Sequence, residues 1–237
     1  MGPYPYVFRY VNISTCTLHV PSGSKAAYQA TSQWKDFTNI VESANTVTDL
    51  DGNNYSTVTI GTQVWMAENL KTTKYNDGTS IPNVTDNTLW INLSTPGYCW
   101  YNNNTTTYGA LYNWFTVNTG KLCPVGWHIP SNAEWTTLTT YLGGESIAGG
   151  KLKETGTSHW TSPNTGATNA TGFTAVPGGY RVDSGGFDYI GTTGALWSST
   201  VFGTSSALFR QMTYYGSSAD GGSSGQRNGF SVRCIKD

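Results

Sequence analysis

The segment Leu122-Cys-Pro-Val-Gly-Trp-His-Ile-Pro-Ser-Asn-Ala-Glu-Trp135 carries a helix start in its side chains. In a capping box a serine hydroxyl accepts from the backbone N–H three residues on, and a glutamate at that position reaches back to the serine N–H. Ser131 and Glu134 have this spacing, directly after Pro130. A helix is therefore predicted from Ser131 or Asn132, with Trp135, Leu138 and Leu142 as its buried stripe and Gly143-Gly144 as its stop.

Outward from that helix the chain reads as short strands and glycine turns. Gly109-Ala-Leu-Tyr-Asn-Trp-Phe-Thr-Val117 sets Leu111, Trp114 and Phe115 at helical spacing, which predicts a second helix packed on the core. Residues 47–50 and 55–60 flank Asp51-Gly52-Asn53-Asn54, the signature of an Asp-Gly hairpin. Asp49, Asp51 and Asn53 alternate as calcium ligands do. Glycine follows Asp51 directly, however, and no distal glutamate completes a calcium loop, so the turn is the stronger reading. Near the C-terminus Phe230, Val232 and Cys234 alternate onto one face, which points Cys234 into the core. Gly221-Gly-Ser-Ser-Gly225 lacks the Lys-Ser/Thr end of a phosphate loop and reads as a flexible connection.

The N-terminal part has another texture. Thr17-Leu18-His19-Val20 is a short strand stopped by Pro21, and Ser22 or Ser24 is placed to cap a helix through residues 25–30. Met1-Gly2-Pro3-Tyr4-Pro5 has neither the basic start nor the apolar stretch of a signal peptide, and is read as an expression start on a fragment of a longer exported protein. Two regions are expected, 1–44 and 45–237.

Charge is scarce: 13 basic and 14 acidic residues make 11% of 237, against a usual share of roughly 25%. With 14% aromatic residues the chain is too rich in rings to be disordered. A net charge of −1 without a basic block argues against nucleic acid or anionic lipid as the main partner, and no run of about 18 apolar residues exists to span a membrane. Four cysteines, Cys16, Cys99, Cys123 and Cys234, permit three full pairings, and spacing does not choose among them. Cys16, beside the first strand, reads as a buried free thiol, and Cys99, among Tyr98, Trp100 and Tyr101, as a packed one that remains a rival partner for Cys123.

Five segments taken together resemble the Fibrobacter succinogenes major paralogous domain, across residues 45–237: residues 55–60 with Trp65-Met-Ala-Glu-Asn-Leu-Lys71; Tyr98-Cys-Trp-Tyr-Asn102; Tyr108-Gly-Ala-Leu-Tyr-Asn-Trp114; residues 122–135; and Gly229-Phe-Ser-Val-Arg-Cys234. More distantly, residues 128–135 and the closing segment look like formylglycine-generating-enzyme-like domains, which share the C-type lectin-like fold. The resemblance implies an α+β domain, with two helices around a twisted, mostly antiparallel sheet and long loops. It also implies a Cys123–Cys234 disulfide, since in that fold a cysteine near the helical region commonly meets one on the last strand; an external compartment would permit the bond. Residues 16–42 resemble the closing repeat of BspA-like leucine-rich repeat proteins of bacterial surfaces, a unit stable only when stacked.

The catalytic inventory is thin. His19, His128 and His159 form no metal-ligand spacing, and no metal or cofactor is expected. His128, between Trp127 and Ile129, reads as a packing residue; His159, beside Trp160, reads as a loop residue able to meet a ligand. Formylglycine-generating enzymes hold copper with two late cysteines, and only Cys234 stands there. Glu68 and Glu134 both have structural readings. Residues 197–227 are instead rich in Tyr, Ser and Gly, the composition of a binding face. Trp197, Leu208 and Phe209 are expected to point inward, and Phe202, Gln211, Tyr214, Tyr215, Asp220 and Arg227 to present a ligand-binding surface. In some C-type lectin-like proteins this region is diversified by retroelements, and its position and composition here look similar. The expectation is a non-enzymatic, adhesin-like module on the cell surface or secreted, binding a protein or glycan on another surface. A formylglycine-generating type of enzyme and a purely architectural module are the alternatives.

Overall fold

Strands outnumber helices because β-branched and aromatic residues alternate over only a few positions between glycine turns. A computed structural model describes residues 11–21, 24–32, 34–43, 45–103 and 107–237. The Met1 to Pro5 start and the alternative cap Ser22 lie outside the described residues. The chain is α+β and forms two compact units that divide between Thr46 and Val47. In the first, β1 (Thr17–Pro21) and β2 (Asn39–Ser43) pair in parallel, joined through α1 (Lys25–Ala30), whose N-cap is Ser24. Val20, Phe37 and Ile40 are its buried core, and Cys16 is half-buried rather than buried. Cys16 lies just before β1, at the margin of a core too small to enclose it.

The second unit holds two five-stranded sheets. One runs β3 (Thr46–Thr48), β4 (Asn54–Ile60), β5 (Gln63–Met66), β14 (Ile235–Lys236) and β8 (Trp127–His128). The expected hairpin joins β3 to β4, and Asp49 closes it by accepting from the backbone N–H groups of Asp51 and Asn53, both at 2.9 Å. The other sheet runs β10 (Phe187–Ile190), β9 (Gly178–Arg181), β11 (Thr193–Phe202), β12 (Ser206–Thr213) and β13 (Asp220–Gly225). Its pairings are antiparallel except where β9 meets β11 at Gly179 and Gly194. A small ribbon pairs β6 (Tyr98–Cys99) with β7 (Leu111–Tyr112). The helices are α2 (Asn87–Ile91), α3 (Trp114–Val117), α4 (Asn132–Tyr141) and α5 (Glu145–Leu152).

α4 starts as its capping box dictates, with Ser131 as N-cap, and buries Trp135 and Leu138. Gly143 and Gly144 then leave the helix at φ of 99° and 109°. Two expectations change, and one helix appears that the sequence does not announce. The helix over residues 109–117 shrinks to the single turn of α3, because Leu111 and Tyr112 pair with Cys99 and Tyr98 in a strand and Asn113 caps only the turn from Trp114 onward. Leu111 and Trp114 consequently enter different clusters. Helix α5 carries no sequence signal, since Gly149-Gly150 argues against helix at about 1 kcal/mol each. Those glycines are sites of close approach: a Cβ on Gly149 would collide with the Ser218 carbonyl oxygen. Finally, residues 221–225 form the edge strand β13 rather than a flexible link. A Cβ on Gly221 or Gly222 would meet the Arg210 guanidinium or the Phe209 ring at 2.9 Å, so glycine is what lets those side chains cross the strand.

Phe230, Val232 and Cys234 do point into the larger core, and Trp197 and Phe209 join the same cluster; Leu208 is half-buried. Cys123 and Cys234 are bonded, with Cα atoms 5.9 Å apart, while Cys99 is a buried free thiol. The bond closes a loop across a sequence separation of 111, for which the chain-entropy model gives about 4–5 kcal/mol, an upper figure. Replacing both cysteines by alanine is expected to lower the unfolding free energy by about 2–5 kcal/mol in urea titrations. Added reductant should then destabilise the natural chain but leave the double variant unchanged.

Candidate functional site

The two faces of β12 diverge in chemistry. Met212 packs with Trp135 and Leu138, and Arg210 pairs with Glu145 and donates to Asn132 Oδ1 (3.1 Å) and Thr136 Oγ1 (3.2 Å). Phe209, Gln211 and Thr213 alternate to the opposite face. There Phe209 joins a row of rings: Trp197 to Phe230 at 4.3 Å between centroids, Phe230 to Tyr180 at 5.2 Å, and Tyr180 stacked on Tyr189 at 5.1 Å. The row runs from the core out to Tyr189, which is 55% exposed.

At its exposed end the row forms one wall of a groove of about 470 Å³, within the usual range for ligand sites. Tyr180 and Tyr189 face Tyr214 and Tyr215 across it, and Thr192, Thr193, Gln211 and Thr213 complete the lining. Tyr189 holds its place through backbone that tyrosine rarely adopts, φ +65°. It stands opposite Gly179, itself at φ +60°, between the pairs Asp188↔Tyr180 and Ile190↔Gly178. A Cβ on Gly179 would lie 2.5 Å from the Asp188 carbonyl oxygen. A left-handed tyrosine costs on the order of 1–3 kcal/mol, and such strain clusters where side chains must be aimed. Burial, with the neighbouring Tyr189 and Asp188, pushes the Tyr180 phenol up to about 12, so it stays a neutral donor at physiological pH.

The opposite wall is a loop clamped from behind. Tyr214 N–H donates to the Thr192 carbonyl (3.0 Å), Thr165 N–H to that of Tyr214 (2.8 Å), and Gly150 N–H in α5 to that of Ser217 (2.8 Å). Lys153, fully buried, donates its ammonium protons to the carbonyls of Thr213 (2.9 Å), Gly216 (2.8 Å) and Thr165 (3.0 Å), over the Trp160 ring. Burial draws its pKa down to about 8. Two of those carbonyls bracket the tyrosine pair.

Of the residues singled out in the sequence, Gln211, Tyr214 and Tyr215 come together here. Arg227 does not: it lines a separate groove with Asp183, Phe115 and Gln226. Phe202, 56% exposed, sits at the β11–β12 turn, and Asp220 opens β13 with its carboxylate accepting from Ser218 Oγ at 2.7 Å; neither lines the tyrosine groove. Tyr180, Tyr189 and the threonines escape sequence reasoning, since no local pattern signals a left-handed tyrosine.

The chain matches the model of the Fibrobacter succinogenes major domain over residues 58–236. It belongs to that family. No curated protein and no solved structure matched the chain. In this major domain His159, Glu68 and Cys99 each have structural partners or burial. His159 Nδ1 meets the Glu154 carboxylate at 2.8 Å, its ring lies against Tyr108, and it stands outside the groove. Glu68 accepts from the Ser56 N–H. Burial raises the Cys99 thiol to about 11. No three His, Cys, Asp or Glu side chains converge on a metal-sized site among the described residues, and no described helix is long and apolar enough to cross a membrane. Both ring nitrogens of His128 are engaged, by Asp237 (2.6 Å) and by Glu134 (2.8 Å). Partial burial opposes its charge, but those two carboxylates raise its pKa above 6.5. Its stabilisation is therefore full below the unfolded value near 6.5 and lost as pH rises through the higher folded value. Urea midpoints of the natural chain should fall across that window more steeply than those of His128→Gln. Lys153→Met, which leaves three carbonyls without a donor, is expected to cost about 2–4 kcal/mol in thermal melts.

Proposed function

We infer that this domain is a non-enzymatic, adhesin-like binding module of an exported bacterial surface protein, with a C-type lectin-like fold that follows the end of a leucine-rich repeat region in the sequence. The ligand, a protein or glycan on another surface, binds in the tyrosine groove. One observation carries the reading: four tyrosines from three separate segments line a single open groove, one of them at the expense of backbone strain. Amphipathic rings with few rotatable bonds give contact area at small entropic cost. An architectural module has no need of that strain.

The enzyme reading loses support because the Cys234 sulfur is bonded to Cys123 and the Cys99 thiol is buried and protonated. Retroelement diversification is compatible with the face: Gln211 reaches the groove while Arg210 and Met212 on either side of it are buried, so the outward position tolerates change. Tyr214→Ala/Tyr215→Ala is expected to weaken capture of surface extracts, or of arrayed glycans, by at least about tenfold. Tyr215→Ala alone, at a position 67% exposed, should weaken it without changing the melting temperature. Unaltered binding by both variants would remove the groove as the site.

A further inference from the structure

Resting on the binding reading above, we propose that the groove takes a neutral oligosaccharide, without calcium. Every side chain lining it carries a hydroxyl or an amide, and none carries a charge. Each therefore offers apolar surface and a hydrogen-bonding group together. That is the inverse of a pyranose, whose axial C–H groups make an apolar face and whose equatorial hydroxyls ring it.

The geometry divides the two tasks. The Tyr180–Tyr189 pair is stacked at an interplanar angle of 22°, so Tyr180 backs the exposed Tyr189 ring, whose outer face is left for a sugar. The Tyr214–Tyr215 pair is set edge to face at 86°, so one ring can cover a sugar while the other turns its edge to the groove. Between the pairs Gln211 supplies both a donor and an acceptor, and Thr193 and Thr213, cross-strand partners on β11 and β12, supply hydroxyls. An anionic sugar would find no cation: Lys153 lies behind the loop with its ammonium already donating to three carbonyls, and Arg210 turns to the opposite face of β12 to pair with Glu145. Asp188, near enough to Tyr180 to raise its pKa, disfavours an anion further. A protein partner would be expected to meet a more apolar centre with charges at its rim. The groove is open rather than enclosed, which suits a chain of sugars over a single enclosed one.

The test is a glycan array and calorimetry on the full chain. The probes are neutral gluco-, manno-, xylo- and galacto-oligosaccharides beside sialylated, sulfated and uronic-acid-bearing ones, with and without EDTA. The expected result is binding of one or more neutral series, unchanged by EDTA and weakened about tenfold by Tyr189→Ala or Gln211→Ala. Tyr189→Phe should retain most of it, because stacking survives loss of the phenol hydroxyl. Selective binding of acidic glycans, or loss of binding in EDTA, overturns the proposal. So does binding of no glycan while surface proteins are still captured through Tyr214 and Tyr215; that outcome leaves the binding reading intact. If neither glycan nor protein binding depends on the four tyrosines, both fall.

Discussion

The closing segment, residues 229–236, hydrogen-bonds to both five-stranded sheets, and the second unit is organised around it. Gly229 exchanges backbone bonds with Arg181, and Ser231 N–H donates to Ala195 while its carbonyl accepts from Trp197, all in the sheet that bears the groove. From the next residue on, the Val232 carbonyl accepts from Leu70 and the Cys234 carbonyl from Met66, and Ile235 pairs with Trp65 and His128 in the other sheet. A strand shared in this way has no solvent face, which is why every residue from Phe230 to Ile235 is buried. Its partners lie far away in sequence, so the cost of closing those loops is large, and the bond from Cys234 to Cys123 offsets part of it.

Long loops leave carbonyl groups that neither helix nor ladder satisfies, and here buried cations take up that role. Arg233 donates to the Thr174 and Phe173 carbonyls and to Asn69 Oδ1, against the Phe173 ring. Arg181 donates to the carbonyls of Val84, Thr85 and Gly185 beneath Trp90. Lys153 does the same for the tyrosine loop. None of the three has a carboxylate within salt-bridge distance among the described residues, so multiple carbonyl dipoles and ring faces offset the desolvation of each charge. Scarce as charge is in this chain, it is therefore not confined to the surface. Some of the few cations present are spent inside, tying loops to the sheets.

Legibility tracks the range of the interactions. The capping box at Ser131 and the Asp-Gly turn are readable because each closes within a few residues on side chains specific to it. The segment 109–117 misleads because its helical spacing is real while its first half is claimed by a strand partner. Gly149-Gly150 and residues 221–225 mislead for a related reason: glycine reads as freedom, where the neighbours of those glycines make it a requirement of space. Of the candidate site, composition locates Gln211, Tyr214 and Tyr215 but also draws in Phe202, Asp220 and Arg227, since richness in Tyr, Ser and Gly marks a stretch of chain rather than a face.

By itself the sequence determined where α4 begins, where the first hairpin turns and that Cys234 faces inward, because capping, turn geometry and strand alternation act between near neighbours. Only the tertiary structure decided that Tyr180 and Tyr189 oppose Tyr214 and Tyr215. That meeting depends on a left-handed residue opposite Gly179, on α5 pressed against Ser217 and Ser218, and on an ammonium beneath the loop. Each of these is a contact between segments distant in sequence, whose free energy exists only once the sheets have closed on the final strand.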